Sequence, residues 1–206
     1  MRLSFRDLNE AASNPAAFRR RIAAPPAVPQ IRYSYYNVLV NTIYHFHKCS
    51  QDIVDAQDYM AEHLDSFKSD QKKDRIRDQF RWYVTDYFAK NLNTFEFRQN
   101  IRIIPDAPLT HELTISGQIG RIDLAQIGYV AWIFRSQGER NWIGELAMPL
   151  IQYELSARVF CVPVTEVSVG MYSFEEQAVS QHCYSNLDIQ QARMSLTQLL
   201  RTLGLA

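Results

Sequence analysis

The chain has 206 residues, 47% hydrophobic, 12% aromatic and 21% charged, a balance too apolar for a disordered segment and sufficient for one domain with a sizeable core. Its 22 basic residues cancel its 22 acidic ones, which excludes the strong field of a protein that coats nucleic acid without specificity and leaves room only for a local basic face. No stretch reaches the roughly 18 apolar residues that cross a bilayer, and MRLSFRDLNEAASNP lacks the apolar core of a signal peptide, so the expectation is a cytoplasmic protein without a membrane partner. Cys49, Cys161 and Cys183 are far apart and odd in number, as suits reduced thiols rather than a disulfide framework or a paired-ligand zinc site.

In chain order, SFRDLNEAASNPAAFRRRI predicts a short helix from Asp7, a break at Asn14-Pro15 and a second helical turn. The proline-rich AAPPAVPQ predicts an extended crossing segment. Leu39, Val40 and Ile43 open an amphipathic pattern that Ile53, Ala56, Met60, Leu64 and Phe67 continue, either as one helix or as two. Ile76, Phe80, Tyr83 and Tyr87 form a further stripe, so residues 36–90 read as helical. FEFRQNIRII, LTHELTISGQIGRIDL and GYVAWIFRS then favour β-branched and aromatic residues and predict three strands. Leu146, Leu150, Tyr153 and Ala157 return to helical spacing, with Pro149 limiting where that helix begins. PVTEVSVGMYSF predicts another strand, and Ile189, Ala192, Leu196, Leu199 and Leu203 a closing helix. The result is one α/β unit over 1–206, mainly helical over 1–92 and sheet-containing over 93–206, with late strands paired in parallel across a helix.

These segments resemble, in order, the RecB-like branch of the PD-(D/E)XK nuclease superfamily. That branch carries "S-x-S-x-L…C-P-x-x-F", a helix with "G-x-x-x-H", strands with "G-x-I-D" and "D-x-K-T", and a helix with "Q-x-x-x-Y". The chain offers LSFRDLNEAASNPAAF, YNVLVNTIYHFHK, GRID, WIFRS, IQYELSA and finally EVSVGMYSF. The resemblance implies a restriction-endonuclease-like fold, a central mixed sheet flanked by helices with a helical N-terminal portion. It also implies a site where carboxylates and a histidine hold one or two divalent cations that activate water.

The departures from the pattern point to a dismantled centre. Asp123 stands at the first carboxylate, but Ile133 falls at the second and cannot ligate Mg²⁺. Between Ala125 and Ser136 there is no Asp or Glu in any register. Arg135 replaces the lysine and offers charge without a usable base. Asn37 and Asn41 take the glycine and histidine positions, and Gln152 matches its motif whereas Ser156 replaces the tyrosine. On this reading Asp123, Arg135 and Gln152 are remnants. Metal binding at Asp123 is weak or absent, Mg²⁺ or Mn²⁺ serves only if the centre is active, and Asp123→Ala is expected to alter stability slightly. An active centre would need Glu96, Glu112 or Glu145 to complete it. The branch's iron–sulphur cluster is not expected, because Asn14 replaces its first cysteine and Cys183 stands without the neighbouring two.

Other segments carry weaker signals. In HFHKC, His45 and Cys49 share a helix face, but a two-ligand pair without a second pair predicts ordinary surface and core contacts. Arg19, Arg20 and Arg21 are the expected nucleic-acid contact, since three adjacent guanidiniums seldom serve packing alone. Lys72, Lys73, Arg75, Arg77 and Arg81, interrupted by Asp74 and Asp78, predict a solvated helix face. Tyr33, Tyr35, Tyr36 and Trp82 are expected in core packing ahead of base stacking. No nucleotide-binding glycine loop is present. The functional expectation is a catalytically degenerate nuclease-like protein that binds DNA or scaffolds a larger DNA-processing or defence complex. The alternatives are an active Mg²⁺-dependent deoxyribonuclease with an atypical ligand set, or a protein-interaction module that touches no nucleic acid.

Overall fold

The computed structural model describes residues 1–23, 34–90, 93–106, 108–109, 112–137 and 141–206. The proline-rich segment beyond Ala23, and Tyr33, lie outside the described residues.

A two-residue strand β1 (Arg2–Leu3) leads into helix α1 (Phe5–Ser13). The helix begins ahead of Asp7 because Ser4 and Asp7 form a reciprocal capping box, the Ser4 hydroxyl accepting from the Asp7 amide at 3.1 Å and the Asp7 carboxylate accepting from the Ser4 amide at 2.9 Å. Pro15 opens α2 (Pro15–Ala23) at a position where a missing amide hydrogen leaves nothing unpaired. Helices α3 (Tyr35–Lys48), α4 (Ile53–Asp65) and α5 (Asp70–Ala89) follow, capped by Ser34, Asp52 and Ser69. α3 and α4 are two helices, divided at Ser50 and Gln51, which take φ of 55° and 65°.

Strands β2 (Asn93–Ile103), β3 (Thr114–Leu124) and β4 (Tyr129–Arg135) form an antiparallel meander. Helix α6 (Ala147–Glu154), extended by a π-helical turn over Leu155–Phe160, crosses to β5 (Val167–Ser173), which pairs with β4 in parallel. Pro149 falls in the first turn of α6, where a proline is tolerated. β6 (Ala178–His182) adds antiparallel to β5, and α7 (Asn186–Leu203) closes the described chain. β3 is flanked by β2 along one edge, and by β1 and β4 at the two ends of the other.

The protein is therefore α/β, with a mixed six-stranded sheet flanked by helices. One core joins α1, α2, α6 and α7 to a face of the sheet carrying Ile115, Ile119, Ile122, Ala131 and Ile133. A second core joins α3, α4 and α5 to the opposite face, through Val130, Trp132, Tyr172 and Phe174. The two-residue alternation of a strand places Ala131 and Trp132 in different cores. Among the described residues no helix is long and apolar enough to cross a membrane.

Candidate functional site

At the end of β3 the alternation is broken. Ile119 and Ile122, three apart, both belong to the first core, and the break lies at Gly120, opposite Arg98 in the flanking register. Arg98 has φ of 49°, a left-handed conformation rare for a residue with a side chain. The effect is to turn Arg121 and Asp123 into the second core, where both side chains are fully buried and form an ion pair at 2.8 Å.

Every polar atom of this pair that the fold encloses has a role. The Asp123 Oδ2 atom accepts from Arg121 Nε at 3.0 Å and from Trp132 Nε1 at 2.6 Å, while Thr94 Oγ1 donates to Oδ1 at 3.0 Å. The remaining Arg121 nitrogens donate to the hydroxyl of Tyr83 and, at 3.1 Å, to that of Tyr172. The guanidinium also lies within 4.9–5.9 Å of the ring centres of Tyr83, Tyr87, Trp132 and Tyr172, so aromatic faces stabilise the charge on sides that no carboxylate reaches.

Arginine only donates, so each phenol accepts from Arg121 and passes its own proton outward. Tyr172 donates to Asp86 at 2.7 Å, and Asp86 is held in turn by Lys90 at 2.8 Å. Tyr83 donates to His47 Nε2 at 2.7 Å, which fixes the imidazole proton on Nδ1. Burial, with the Arg121 charge second, pushes the His47 pKa down to about 3, so this histidine is neutral at physiological pH. Burial likewise drives the phenols of Tyr83 and Tyr172 upward. For Arg121 burial opposes the charge, but Tyr83, Tyr172 and Asp123 outweigh it and raise the pKa further above the usual arginine range. A polar recess of about 350 Å³, lined by His47, Gln51, Tyr87, Asn93 and Thr94 among others, opens beside this network.

The arrangement does not fit a divalent metal. Both Asp123 oxygens already accept hydrogen bonds, and a cation is in van der Waals reach as part of the chain itself. Among the described residues, the group of three His, Cys, Asp or Glu side chains close enough to share an ion does not include Asp123. A buried ion pair of this kind is costly to break, because removing one partner leaves the other charged and enclosed. The expectation that Asp123→Ala alters stability only slightly is thus corrected by its burial.

The other sequence-predicted residues do not converge on Asp123. Ile133 lies in the first core, on the opposite face of the sheet. Arg135 pairs with Glu145, whose carboxylate also accepts from Asn9 Nδ2, and the Asn9 amide oxygen accepts from the Ala147 amide at 2.9 Å. These groups tie the end of β4 to α1 and α6. Gln152 is fully buried, donating to the carbonyls of Val164 (3.0 Å) and Tyr184 (2.9 Å) and accepting from the Tyr184 amide (2.7 Å). It fastens α6 to the segments either side of β5 and β6. Ser156 donates to the carbonyl of Tyr153. Glu96 and Glu112 are exposed.

Asn37 and Asn41 line a separate groove of about 410 Å³ with Tyr36, Arg98, Gln118 and Phe134. Gly120 also lines this groove and lets the Phe134 ring lie against the strand, since a Cβ there would meet that ring at 2.6 Å. Arg98 donates to the Asn41 side-chain oxygen and stacks over Tyr44 at 4.5 Å, while its Nε is enclosed without an acceptor. Arg21 is held by Asp7 (2.5 Å) and Glu10 (3.4 Å) over the Phe18 ring, which leaves Arg19 and Arg20 as the exposed members of the triplet without an ion pair among the described residues. On α5, Lys73, Arg77 and Arg81 pair with Asp70, Asp74 and Asp78, and Arg75 with Glu175. Tyr35 packs on Phe67, and Trp82 on Tyr172 and Phe174.

Sequence reasoning passed over Arg121 and His47. Arg121 sits inside the GRID motif, where attention falls on the carboxylate. A signal was present, because Arg121 and Asp123 are two apart in a strand and so share a face.

No family model matches the chain, and no curated protein matches it. Among solved structures it is similar to one described as "Crystal structure of SSO0001", at 6% identity over 94% of this chain and 84% of that one, with a TM-score of 0.33. That likeness is too slight to assign a family or a function.

Proposed function

We propose that the chain is a non-cleaving relative in kind of the PD-(D/E)XK nucleases, a cytoplasmic DNA-binding or scaffolding subunit of a DNA-processing or defence assembly. The observation that carries this reading is the Arg121–Asp123 pair. At the carboxylate where the resemblance calls for a divalent ion, the chain supplies a guanidinium of its own. The order of helix, three antiparallel strands, helix and parallel strand supports the same reading.

The groove between α3 and the sheet supports the binding half of the proposal. Its amides suit base edges, its guanidinium suits phosphate, and Tyr36 and Phe134 offer aromatic surface. Arg19 and Arg20 add exposed positive charge on α2. The test is equilibrium binding of single- and double-stranded oligonucleotides over a range of salt. Binding is expected to weaken as salt rises, and Arg98→Ala and Arg19→Ala/Arg20→Ala are each expected to reduce the log–log slope by roughly 0.7–0.9 for every phosphate that is no longer neutralised. Absence of binding at low salt would overturn the DNA reading in favour of a protein-interaction module.

A further inference from the structure

The α3–α4 turn carries a cluster that the Asp123 network does not use. His45 and Cys49 lie one turn apart near the end of α3, and Asp55 projects from the first turn of α4. One ligand atom from each lies within 4.8 Å of the other two. His45 Nε2 faces both partners, 2.7 Å from Asp55 Oδ2 and 3.6 Å from Cys49 Sγ. We infer that His45, Cys49 and Asp55 form a binding site for a Zn²⁺-class transition-metal ion, with a fourth position open to water.

The distances carry the assignment. With Zn–S near 2.3 Å and Zn–N near 2.0–2.1 Å, the sulphur and nitrogen of a tetrahedral site lie about 3.6 Å apart, and the Cys49–His45 separation is 3.6 Å. The carboxylate now stands at hydrogen-bond distance and needs to withdraw by roughly 0.7 Å to take its own corner. Its side chain is 51% exposed, so that movement is unobstructed by packing.

The histidine ring and the backbone that joins the two helices are also held in advance. The His45 ring stacks on Tyr59 (4.4 Å between centres, 12° between planes), and Tyr59 stacks on His63 at 4.0 Å. Two consecutive left-handed residues, Ser50 and Gln51, bend the chain sharply, and the Gln51 amide donates to the Phe46 carbonyl while the Asp52 amide donates to that of Cys49. Neither position is glycine, and backbone strain of this kind persists where surrounding structure fixes it. The bend is what brings Asp55 of the second helix to the His45–Cys49 face of the first. Thiolate and imidazole together select Zn²⁺ and similar ions over Mg²⁺, so the site is independent of the question posed at Asp123.

The 206-residue chain is titrated with Zn²⁺ against a chromophoric chelator, and with Co²⁺ to read the thiolate-to-cobalt absorption band. One ion per chain and a thiolate band are expected. Cys49→Ser, His45→Gln and Asp55→Asn should each weaken binding by at least about 100-fold, beyond the roughly 10–100-fold cost of losing an outer partner. The Cys161→Ser/Cys183→Ser variant should bind as the unaltered chain does, since neither thiol belongs to the cluster. Absence of the thiolate band in the unaltered chain would overturn the site without recourse to any variant. So would unchanged affinity in Cys49→Ser and His45→Gln, or loss of binding in the Cys161→Ser/Cys183→Ser chain.

Discussion

His47 and His45 stand two residues apart on α3 and belong to opposite worlds. His47 turns inward, its ring neutral, at the end of a proton-donating chain that starts at the Arg121 guanidinium. His45 turns outward to a thiol and a carboxylate. The inner cluster contains its own cation and has almost all its donors and acceptors matched; the outer one gathers three metal-ligating atoms around a centre that no arginine or lysine side chain fills among the described ion pairs. A polar cluster that encloses a fixed cation is a structural element and resists a metal, whereas one that gathers ligands without a cation is open to a metal.

The sharpest way to break this contrast is at the inner pair. Asp123→Ala should cost about 3–5 kcal/mol in urea unfolding, since it leaves Arg121 charged and enclosed. The Arg121→Met/Asp123→Leu double variant should recover part of that loss, because it removes both charges and their desolvation penalty while leaving the Trp132 Nε1 donor without its acceptor. A double variant as unstable as Asp123→Ala would show that the cost lies in shape and in the hydrogen bonds lost with the carboxylate, not in an uncompensated charge.

Trp132→Phe probes one hydrogen bond to the same carboxylate. It keeps a ring in the core and deletes a donor at 2.6 Å, so a loss of about 1.5–3 kcal/mol is expected from the bond to a charged group. A loss below about 0.5 kcal/mol, on the scale of an exposed ion pair, would mean that Asp123 does not depend on Trp132.

A further effect is one of pH and accumulates gradually. The folded pKa of His47 is lowered to about 3, so the unfolded chain binds a proton there that the native one refuses. The stability contributed by the neutral ring is complete above the unfolded value of about 6.5 and is lost as pH falls from there toward 3. Unfolding free energy should drop by up to about 1.4 kcal/mol per pH unit over that window from this group, and His47→Gln should flatten the decline. An identical acid profile in the variant would place the sensitive group elsewhere.

Much of the fold was legible in the residues. The β-branched and aromatic runs located β2 to β5, and the three-and-four spacing located the helices on both sides. β1 and β6 escaped for physical reasons: one has two residues, and the other, Ala178–His182, is largely exposed and has no apolar face to alternate. The α3–α4 division was hidden because the chain turns left-handed at Ser50 and Gln51 without a glycine to announce it.

The site was legible only in part. GRID marks the carboxylate, but Thr94 and Trp132, which bond Asp123, and Tyr83 and Tyr172, which bond Arg121, come from four separate elements, and no spacing rule joins them. Likewise Asp55 converts the His45–Cys49 pair into a triad only because the bend between two helices delivers it. Gln152, read as a motif residue, proves to be bonded entirely to backbone of its surroundings and to Cys183.

Whether Asp123 is closed to a metal is read most directly from Mn²⁺- and Mg²⁺-dependent cleavage of single- and double-stranded DNA by the purified chain, with a folded Asp123→Asn variant beside it. The Arg121–Asp123 pair predicts no cleavage by either protein at any metal concentration. Cleavage by the unaltered chain that Asp123→Asn abolishes would contradict it, since Asp123 would then be holding a metal in the place of the arginine.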